Sequence, residues 1–202
     1  MSRLNTNSKM SNVSSGSDCT IDERTTVGYE YDTKVNPTIL GDSVTIRAGS
    51  TIYADVKIHD YVQTGHDVLI REQTEIGKES IIGTKTVIDG YSKIGKKVSL
   101  QTGVYIPSHT TIEDEVFIGP NAVLTNDPYP VRQNVDLEGP TVERSASIGA
   151  NATINPEITV GERSFVASGA VVTEDVPADT LAVGVPAEFK PLPDKLQGKN
   201  DL

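Results

Sequence analysis

One histidine of the chain is followed directly by a carboxylate, since His66 precedes Asp67 in the run GHDVLI. An imidazole can accept the proton of an attacking amine or hydroxyl, and a neighbouring carboxylate can fix its tautomer and favour the imidazolium. The pair therefore predicts a general base with its orienting carboxylate. The alternative is a solvated polar corner without a catalytic role.

A second group of polar side chains lies in residues 125–145, TNDPYPVRQNVDLEGPTVERS. The segment contains three Pro and one Gly, and an irregular segment of this length inside a compact domain is usually functional. Asn126 and Asp127 are suited to hold an amine or a hydroxyl, and Arg132 offers a planar fork to a phosphate. Together with Tyr129 they predict a substrate-binding loop. Simple turn chemistry is the alternative.

The elements that must position these residues show a period of six. From Leu40 to Leu124 every sixth residue is Leu or Ile, apart from Thr64, and the residue two positions earlier is always small or β-branched. The period resumes from Ile148 to Val172. Hexapeptide repeats are typical of a parallel β-helix, in which each unit is a short strand and a corner. We predict that both series point inward and stack in columns.

Three hexads per coil would place residues about 18 apart over one another. His66 then shares one edge of the coil with Gln101, while His109 lies on another edge, where the loop leaves, and His59 on the third. Coils lie about 4.8 Å apart, so the corners of His66 and Gln101 are separated by roughly 10 Å. One cleft could contain both.

The chain divides into three predicted parts. Residues 1–19 are rich in Ser and Asn and are expected to be a disordered tail. Residues 20–177 form the β-helix, with a first coil near Ile21 and the loop at 125–145. Residues 178–202 form a cap over the last coil and a polar tail.

Composition excludes several classes of partner. The 202 residues carry a formal net charge of -10, which argues against a nucleic-acid or anionic-membrane surface. The only cysteine, Cys19, excludes an internal disulfide framework. No apolar run is long enough to span a bilayer and no signal peptide is visible, so a cytoplasmic location is expected.

Longer runs of sequence resemble a known family. SIGANATI, ITVGERSFVASGAVVTEDVP and LAVGVPA closely resemble the C-terminal coils of the left-handed β-helix acyltransferases. VFIGPNAVLTNDPYPVR resembles the branch that acetylates amines on nucleotide-linked deoxy sugars. The resemblance implies a left-handed coil, acetyl-CoA as cosubstrate, no metal, and a homotrimer in which a neighbouring copy completes the cleft.

The resemblance also implies roles for individual residues. The GHDVLI run resembles the His-acid corner that several of these enzymes use as a base, and Gln101 aligns with a corner that faces the acceptor. His109 is a candidate sugar contact because of its position beside the loop, and not through the resemblance; the alternative is a polar corner residue without a role. The remaining residues would contact coenzyme A along the pantetheine arm, the adenine and the phosphates: Ala167, Ser168, Gly169, Ala170, Gly184, Pro186 and Lys190. The alternative is that the Gly and Ala residues only satisfy coil geometry.

Four functions can be weighed against these features. The leading hypothesis is an N-acetyltransferase acting on a nucleotide-linked amino sugar, and the nearest rival is a sugar O-acetyltransferase. A γ-type carbonic anhydrase would need three His converging on zinc, which the spacing of His59, His66 and His109 does not match. A non-catalytic solenoid scaffold would leave the long loop unexplained.

Overall fold

Each hexad folds into a short strand and a corner, and three hexads complete one coil. A computed structural model describes residues 3–4 and 9–202 and shows an all-β, left-handed parallel β-helix. The predicted fold is therefore confirmed. Within the described residues the single helical segment is a 3₁₀ turn at Asp194–Leu196, and no helix is long and apolar enough to cross a bilayer.

Most strands contain only two residues. In chain order they are β1 (Arg3–Leu4), β2 (Lys9–Met10), β3 (Val13–Ser15), β4 (Thr20–Ile21), β5 (Thr26–Tyr29), β6 (Thr38–Leu40), β7 (Thr45–Ile46), β8 (Thr51–Tyr53), β9 (Lys57–Ile58), β10 (Gln63–Thr64), β11 (Leu69–Ile70), β12 (Glu75–Ile76), β13 (Ile81–Ile82), β14 (Val87–Ile88), β15 (Lys93–Ile94), β16 (Ser99–Leu100), β17 (Tyr105–Ile106), β18 (Thr111–Ile112), β19 (Phe117–Ile118), β20 (Val123–Leu124), β21 (Thr141–Val142), β22 (Ser147–Ile148), β23 (Thr153–Ile154), β24 (Thr159–Val160), β25 (Phe165–Val166), β26 (Val171–Val172), β27 (Thr180–Val183) and β28 (Glu188–Pro191).

Every third strand joins the same sheet, which gives the coil three flat faces. The first sheet runs from β1 through β4 to β25, β27 and β28, the second from β2 to β26, and the third from β3 to β24. We name the corners by the sheets they join: the first edge connects the first and second sheets, the second edge the second and third sheets, and the third edge the third and first sheets.

The register between coils is 18 residues, as predicted. In the second sheet Leu69 pairs with Val87, and Val87 with Tyr105. The spacing rises to 30 residues between Val123 and Thr153, so 12 extra residues leave the coil at the second edge. The columns continue on both sides of this excursion because the added chain lies outside them.

The interior consists of the two predicted columns. Both the aliphatic series from Leu40 to Leu124 and the small series two positions earlier are buried, and burying an Ile or Leu side chain stabilises the fold by about 1.5–3 kcal/mol. Thr64, the one polar member of the aliphatic series, has a specific partner. Its Oγ1 accepts a hydrogen bond from the backbone N–H of Arg47 at 3.0 Å, so its hydroxyl satisfies a backbone donor of the preceding coil.

Carboxylates on the third edge cap the backbone of the preceding coil. The Oδ1 of Asp60 accepts the N–H of Asp42 at 3.1 Å, and the Oδ1 of Asp114 accepts that of Lys96 at 2.8 Å. The side chain of Asp42 accepts the N–H of Ser17 at 2.7 Å. Part of the acidic composition therefore serves the corners themselves.

The coil begins earlier than the sequence indicates. β2 pairs with β5 and β3 with β6, and Cys19 is buried. Residues 9–19 thus belong to the β-helix rather than to the disordered tail predicted for residues 1–19. Their backbone groups extend two sheets by one strand each, which does not require large side chains. The part of the predicted tail at residues 1–2 and 5–8 lies outside the described residues.

The loop on the second edge is shorter than the predicted 125–145. β20 ends at Leu124 and β21 begins at Thr141, so the loop spans residues 125–140. Val142 is buried and pairs between Ile112 and Val160. Its position six residues before Ile148 continues the aliphatic column.

The C-terminal segment caps the last coil and then folds back along the first sheet. β27 extends that sheet in parallel and β28 pairs with β27 in antiparallel register. The Asn200 side chain donates to the carbonyl oxygens of Glu115, Ser145 and Ala146 at 3.0–3.2 Å and accepts a hydrogen bond from Ser147. The predicted polar tail is therefore held against the coil.

Candidate functional site

The loop at 125–140 is closed at its base and attached to the coil below it. The N–H of Glu138 donates to the carbonyl oxygen of Asn126 at 3.1 Å, and the Asn126 side-chain amide donates to Ser108 Oγ at 2.9 Å. The N–H of Gly139 donates to the carbonyl oxygen of His109 at 3.2 Å. These contacts fix both ends of the loop on the second edge.

A cleft of about 560 Å³ opens between the loop and the coils on either side of it. This volume lies within the range of small-molecule sites, roughly 300–1,000 Å³. The lining combines amides and hydroxyls with proline rings and one phenol: Tyr105, Thr125, Asn126, Asp127, Pro128, Pro130, Asn155, Pro156 and Thr173.

The predicted loop residues have different surroundings. Asn126 and Asp127 line the cleft, but the Oδ1 of Asp127 also accepts the N–H of Tyr129 at 2.8 Å, so the carboxylate supports a local turn. Tyr129 and Arg132 are exposed and lie outside the cleft lining. His109 lies beneath the loop and stacks on the ring of Tyr91, with the ring centroids 5.1 Å apart.

His66 and Asp67 lie on the first edge, as predicted, and both are exposed. Within the described part of the chain, the imidazole of His66 has no hydrogen-bond partner, and Asp67 is not bonded to it. Asp67 has a φ of 55°, and its carboxylate lies over Gly49 of the preceding coil, where a Cβ would clash. His66 therefore has both ring nitrogens available to a ligand.

Gln101 lies on the same edge as His66, two coils further along. Its side-chain amide donates to Ser99 Oγ at 2.8 Å, which orients its carboxamide along the first sheet. The corner positions of His66 and Gln101 are thus roughly 10 Å apart at about 4.8 Å per coil. The structure places them on one edge and leaves the loop residues on another.

A different histidine forms a hydrogen bond with a carboxylate. The Nε2 of His59 lies 2.6 Å from Glu75 Oε1, which also pairs with Lys57 Nζ at 3.1 Å. The hydrogen bond with His59 and the bond with Lys57 lower the pKa of Glu75 below its ordinary value. This group lies on the third edge and third sheet, away from the loop.

The three histidines occupy three different edges. In residues 9–202 no group of three or more His, Cys, Asp or Glu side chains is arranged to hold a metal ion. The three histidines of one copy therefore do not converge, and a zinc site of the γ-type carbonic anhydrase kind would need histidines from two subunits.

Four of the seven predicted coenzyme A residues, Ala167 to Ala170, form the corner at the C-terminal end of the first edge. Backbone N–H groups of Ala167, Gly169 and Ala170 donate to carbonyl oxygens of the coil, whereas in the described residues nothing accepts the N–H of Ser168. A backbone amide without an acceptor in the protein can donate to a carbonyl oxygen of a ligand. Of the four predicted corner residues, Ser168 alone thus offers a backbone donor.

The segment after β27 lies directly against this corner. The carbonyl oxygen of Gly184 accepts the N–H of Val171 at 3.0 Å, and Ala187 donates back to Val171 at 2.8 Å. Gly184 and Pro186 are therefore next to the corner of Ala167 to Ala170, and both are exposed. Lys190 is exposed on β28, opposite Leu181.

Four cleft residues lie outside the predicted loop and were not among the sequence candidates: Tyr105, Asn155, Pro156 and Thr173. Asn155 and Thr173 follow the last residues of β23 and β26, in the same column as Thr125, which follows β20. Asn155 and Thr173 could have been identified from the sequence in this way, because residues at equivalent positions of successive coils lie beside each other along an edge.

Comparison with known proteins places the chain among acetyltransferases of the same repeat. The model of the hexapeptide repeat of succinyl-transferase matches residues 141–174. A hexapeptide-repeat containing acetyltransferase from Vibrio cholerae O1 biovar eltor, crystallised in complex with acetyl coenzyme A, is 31% identical; the match covers 59% of this chain and 71% of that one, with a TM-score of 0.50.

Two further similarities concern the fold and part of the length. A UDP-N-acetylglucosamine acyltransferase from Campylobacter jejuni is similar in fold over 93% of this chain and 74% of its own, with a TM-score of 0.61 at 16% identity. Galactoside O-acetyltransferase from Escherichia coli K12 is 35% identical over 82 residues. That match covers 38% of this chain and only 40% of the enzyme's length.

Proposed function

Because the chain belongs to the hexapeptide-repeat containing acetyltransferases, we propose that it transfers an acetyl group from acetyl-CoA to the amine of a nucleotide-linked amino sugar. The observation that carries the choice of acceptor is the cleft of about 560 Å³ beneath the loop. Its amide, hydroxyl and carboxylate groups match the hydroxyls and amine of a sugar, and its proline and tyrosine rings match the apolar faces.

Acetyl-CoA is placed along the C-terminal end of the first edge in this proposal. The N–H of Ser168, which has no acceptor in the described residues, can bind a carbonyl oxygen of the pantetheine arm. Ala167, Gly169 and Ala170 lack bulky side chains and let the arm approach the backbone. Gly184 and Pro186 then flank the adenine, and Lys190 lies near the phosphates.

The two halves of the proposed site lie on different edges of one chain. His66 and Ser168 are on the first edge, and the loop cleft is on the second, so the width of the second sheet separates them. A complete site therefore requires the first edge of one copy to face the second edge of another. A closed ring of three copies repeats that contact at each interface, which supports the predicted homotrimer.

The tip of the loop supports contact with a neighbouring copy. Val131 is 100% exposed with a φ of 54°, and the ring of Tyr129 is 48% exposed. A β-branched residue in left-handed backbone is rare and strained, and such conformations cluster at functional segments. In the trimer these apolar side chains and Arg132 would reach the acceptor or the adjacent subunit.

The chemistry assigned to the chain is general base catalysis with support for a developing oxyanion. The acceptor nitrogen forms a bond to the thioester carbonyl carbon and expels the CoA thiolate, and its proton passes to a water beside the amine or, through water along the first edge, to His66. The corner of His66 lies five coils before that of Ser168, roughly 24 Å along the edge, so the pantetheine arm must run from Ser168 toward His66. A backbone N–H stabilises the negative oxygen of the intermediate. The free imidazole of His66 suits this role, while the carboxylate of Asp67 would act through its charge nearby.

O-acetylation of a sugar hydroxyl is the second candidate. It is favoured by the similarity to galactoside O-acetyltransferase, and His66 can deprotonate a hydroxyl as readily as an amine. A scaffold without activity is disfavoured because it assigns no role to the closed loop and its cleft. The predicted cytoplasmic location remains part of the same proposal.

An acceptor screen tests the proposal. The protein is incubated with acetyl-CoA and a panel of UDP-, dTDP- and GDP-linked amino sugars, each matched with the corresponding hydroxyl sugar, and products are identified by mass spectrometry. We expect one acetyl group on the amine of an amino sugar. Acetylation of the hydroxyl sugars alone would select the second candidate, and no product from any acceptor would reject both. Light scattering should give the mass of three chains.

A further inference from the structure

The loop cleft contains a side-chain amide that has no hydrogen-bond partner among the described residues. Asn126 is bonded to Ser108, Thr125 Oγ1 donates to the carbonyl oxygen of Ile154, and Asp127 accepts from Tyr129. In contrast, the carboxamide of Asn155 has no hydrogen-bond partner in the described residues, although it lines the cleft and is half-buried. It presents donors and an acceptor to whatever binds there.

The phenol of the cleft lining, Tyr105, is hydrogen-bonded to the preceding coil. Tyr105 Oη donates to Asp89 Oδ2 at 3.1 Å, and Asp89 Oδ1 accepts from Arg71 Nη1 at 3.0 Å. Burial and the nearby Asp89 raise the pKa of Tyr105, so the phenol keeps its proton and remains a donor. The ring is thus held in one orientation at the wall of the cleft.

The anchor continues into the body of the coil. Arg71 donates from Nε and Nη2 to both carboxylate oxygens of Glu72, at 3.1 and 2.9 Å, and its guanidinium lies 5.6 Å from the centre of the Tyr53 ring. Only 5% of Glu72 is exposed. A buried carboxylate is costly unless it is paired, so this group of charges holds Arg71 in a single position. Asp89 and Tyr105 are held in turn, because Arg71 bonds Asp89 and Asp89 bonds Tyr105.

We propose that Tyr105 and Asn155 form the subsite that orients the pyranose ring of the acceptor, a role that rests on the proposed function. The phenol ring packs against a C–H face of the sugar, and the carboxamide hydrogen-bonds a hydroxyl, amine or acylamino group at its rim. Asp89 and Arg71 are positioning residues that act through Tyr105. A side chain held in advance loses less conformational entropy when the ligand binds.

Steady-state kinetics at saturating acetyl-CoA tests the subsite, with the best amino-sugar acceptor from the screen. Asn155→Ala and Tyr105→Ala should each raise the acceptor KM about tenfold, which corresponds to the loss of one good contact. The KM for acetyl-CoA should change less than about twofold, because that ligand is assigned to the first edge. Asp60→Asn is the matched control, since Asp60 also pairs with a cation, Lys78 at 2.7 Å, on the third edge. Its kinetics should equal the parent's.

A double-mutant cycle tests the positioning role. If Asp89 acts through the phenol hydroxyl, Tyr105→Phe and Asp89→Ala should raise the acceptor KM by similar factors, and the double variant should resemble the single ones. If the factors by which the two single variants raise the acceptor KM multiply in the double variant, Asp89 does not act through the phenol. Because Asp89→Ala could disturb Arg71, each variant is checked by its melting temperature, while Asn155→Ala removes only a half-buried amide with no protein partner.

The possible failures are distinguishable. A parent protein that acetylates no acceptor contradicts the proposed function itself. An active parent whose Asn155→Ala and Tyr105→Ala variants keep the parental acceptor KM overturns the subsite alone. Equal rises in KM for acceptor and acetyl-CoA would also overturn it, because they would indicate a general distortion rather than a sugar contact.

Discussion

Shortening the loop on the second edge separates its role in activity from its role in folding. The N–H of Glu138 donates to the carbonyl oxygen of Asn126 at 3.1 Å across the base of the loop. A four-residue turn is closed by a hydrogen bond of the same kind, between its first carbonyl oxygen and its fourth N–H. Replacing residues 127–137 by Asn-Gly keeps both partners in that arrangement, because two residues then separate them. The hexad columns before and after the loop are untouched by the change.

The stability of this variant can be worked out from exposure and chain length. The 11 residues from 127 to 137 become two, which lowers the entropic cost of closing the loop by about 1.5 kcal/mol. Little buried surface is lost, since Val131 is 100% and Tyr129 48% exposed. We therefore expect a melting temperature equal to or slightly above that of the parent, measured by circular dichroism.

Activity should respond in the opposite direction. The variant lacks Asp127 and Arg132, and each lost charge-assisted contact costs about 1.5–3 kcal/mol. Since about 1.4 kcal/mol is a factor of ten in rate, acetyl transfer should fall by at least about two orders of magnitude. Initial rates with the screened acceptor, followed by mass spectrometry, measure this fall.

The other excursion on the second edge supplies a control. Residues 32–34 are exposed and lie several coils from the cleft, so deleting them should leave the rate near that of the parent. A 127–137 replacement that melts normally and acetylates at the parental rate would refute the placement of the site. A replacement that fails to fold would show that the columns depend on the loop.

Three further changes have defined outcomes. His66→Asn should keep the melting temperature and lower turnover by about a hundredfold if the imidazole is the general base; parental turnover would transfer that role to water or to the acceptor amine. Thr64→Val should lower the free energy of unfolding by about 1–3 kcal/mol in denaturant titration, because the N–H of Arg47 loses its buried acceptor; an unchanged value would mean that the N–H finds another. Glu75→Gln should destabilise by under about 1 kcal/mol at neutral pH, since the pair with His59 is half-exposed. The pKa of Glu75 is lowered in the fold, so its contribution is full above the ordinary value of 4.5 and should disappear as the pH falls through the lowered one; a difference between parent and variant that persists in acid would contradict this.

The columns could be predicted from the sequence because every buried position obeys one period. The same rule explains the misplaced loop boundary: Val142 continues the column six residues before Ile148, but it stands alone among polar neighbours. The first coil, at residues 9–19, was not predicted from the period of six for a different reason. In residues 9–19 only Met10, Val13 and Cys19 pack in or against the core, which is too few to show a period of six.

The site was predicted unevenly. The sequence identified the loop and separated it correctly from the edge of His66, since both follow from counting residues along the coil. It did not identify Tyr105 or Asn155, which come from coils on either side of the loop. Their positions along the coil can be compared only after the 12 added residues of the loop are subtracted from the count. Nor could it show that Asp67 turns away from His66, because that depends on the left-handed backbone of the corner.

Both excursions of the described chain leave from the same edge, residues 30–37 near the start and 125–140 later. The other two edges keep corners of constant length from coil to coil. Insertions on the second edge therefore change what the molecule recognises without altering the straight surfaces along which copies can align. The specificity of such a chain can therefore change through the length of the insertions on one edge, while the surfaces along which copies assemble stay the same.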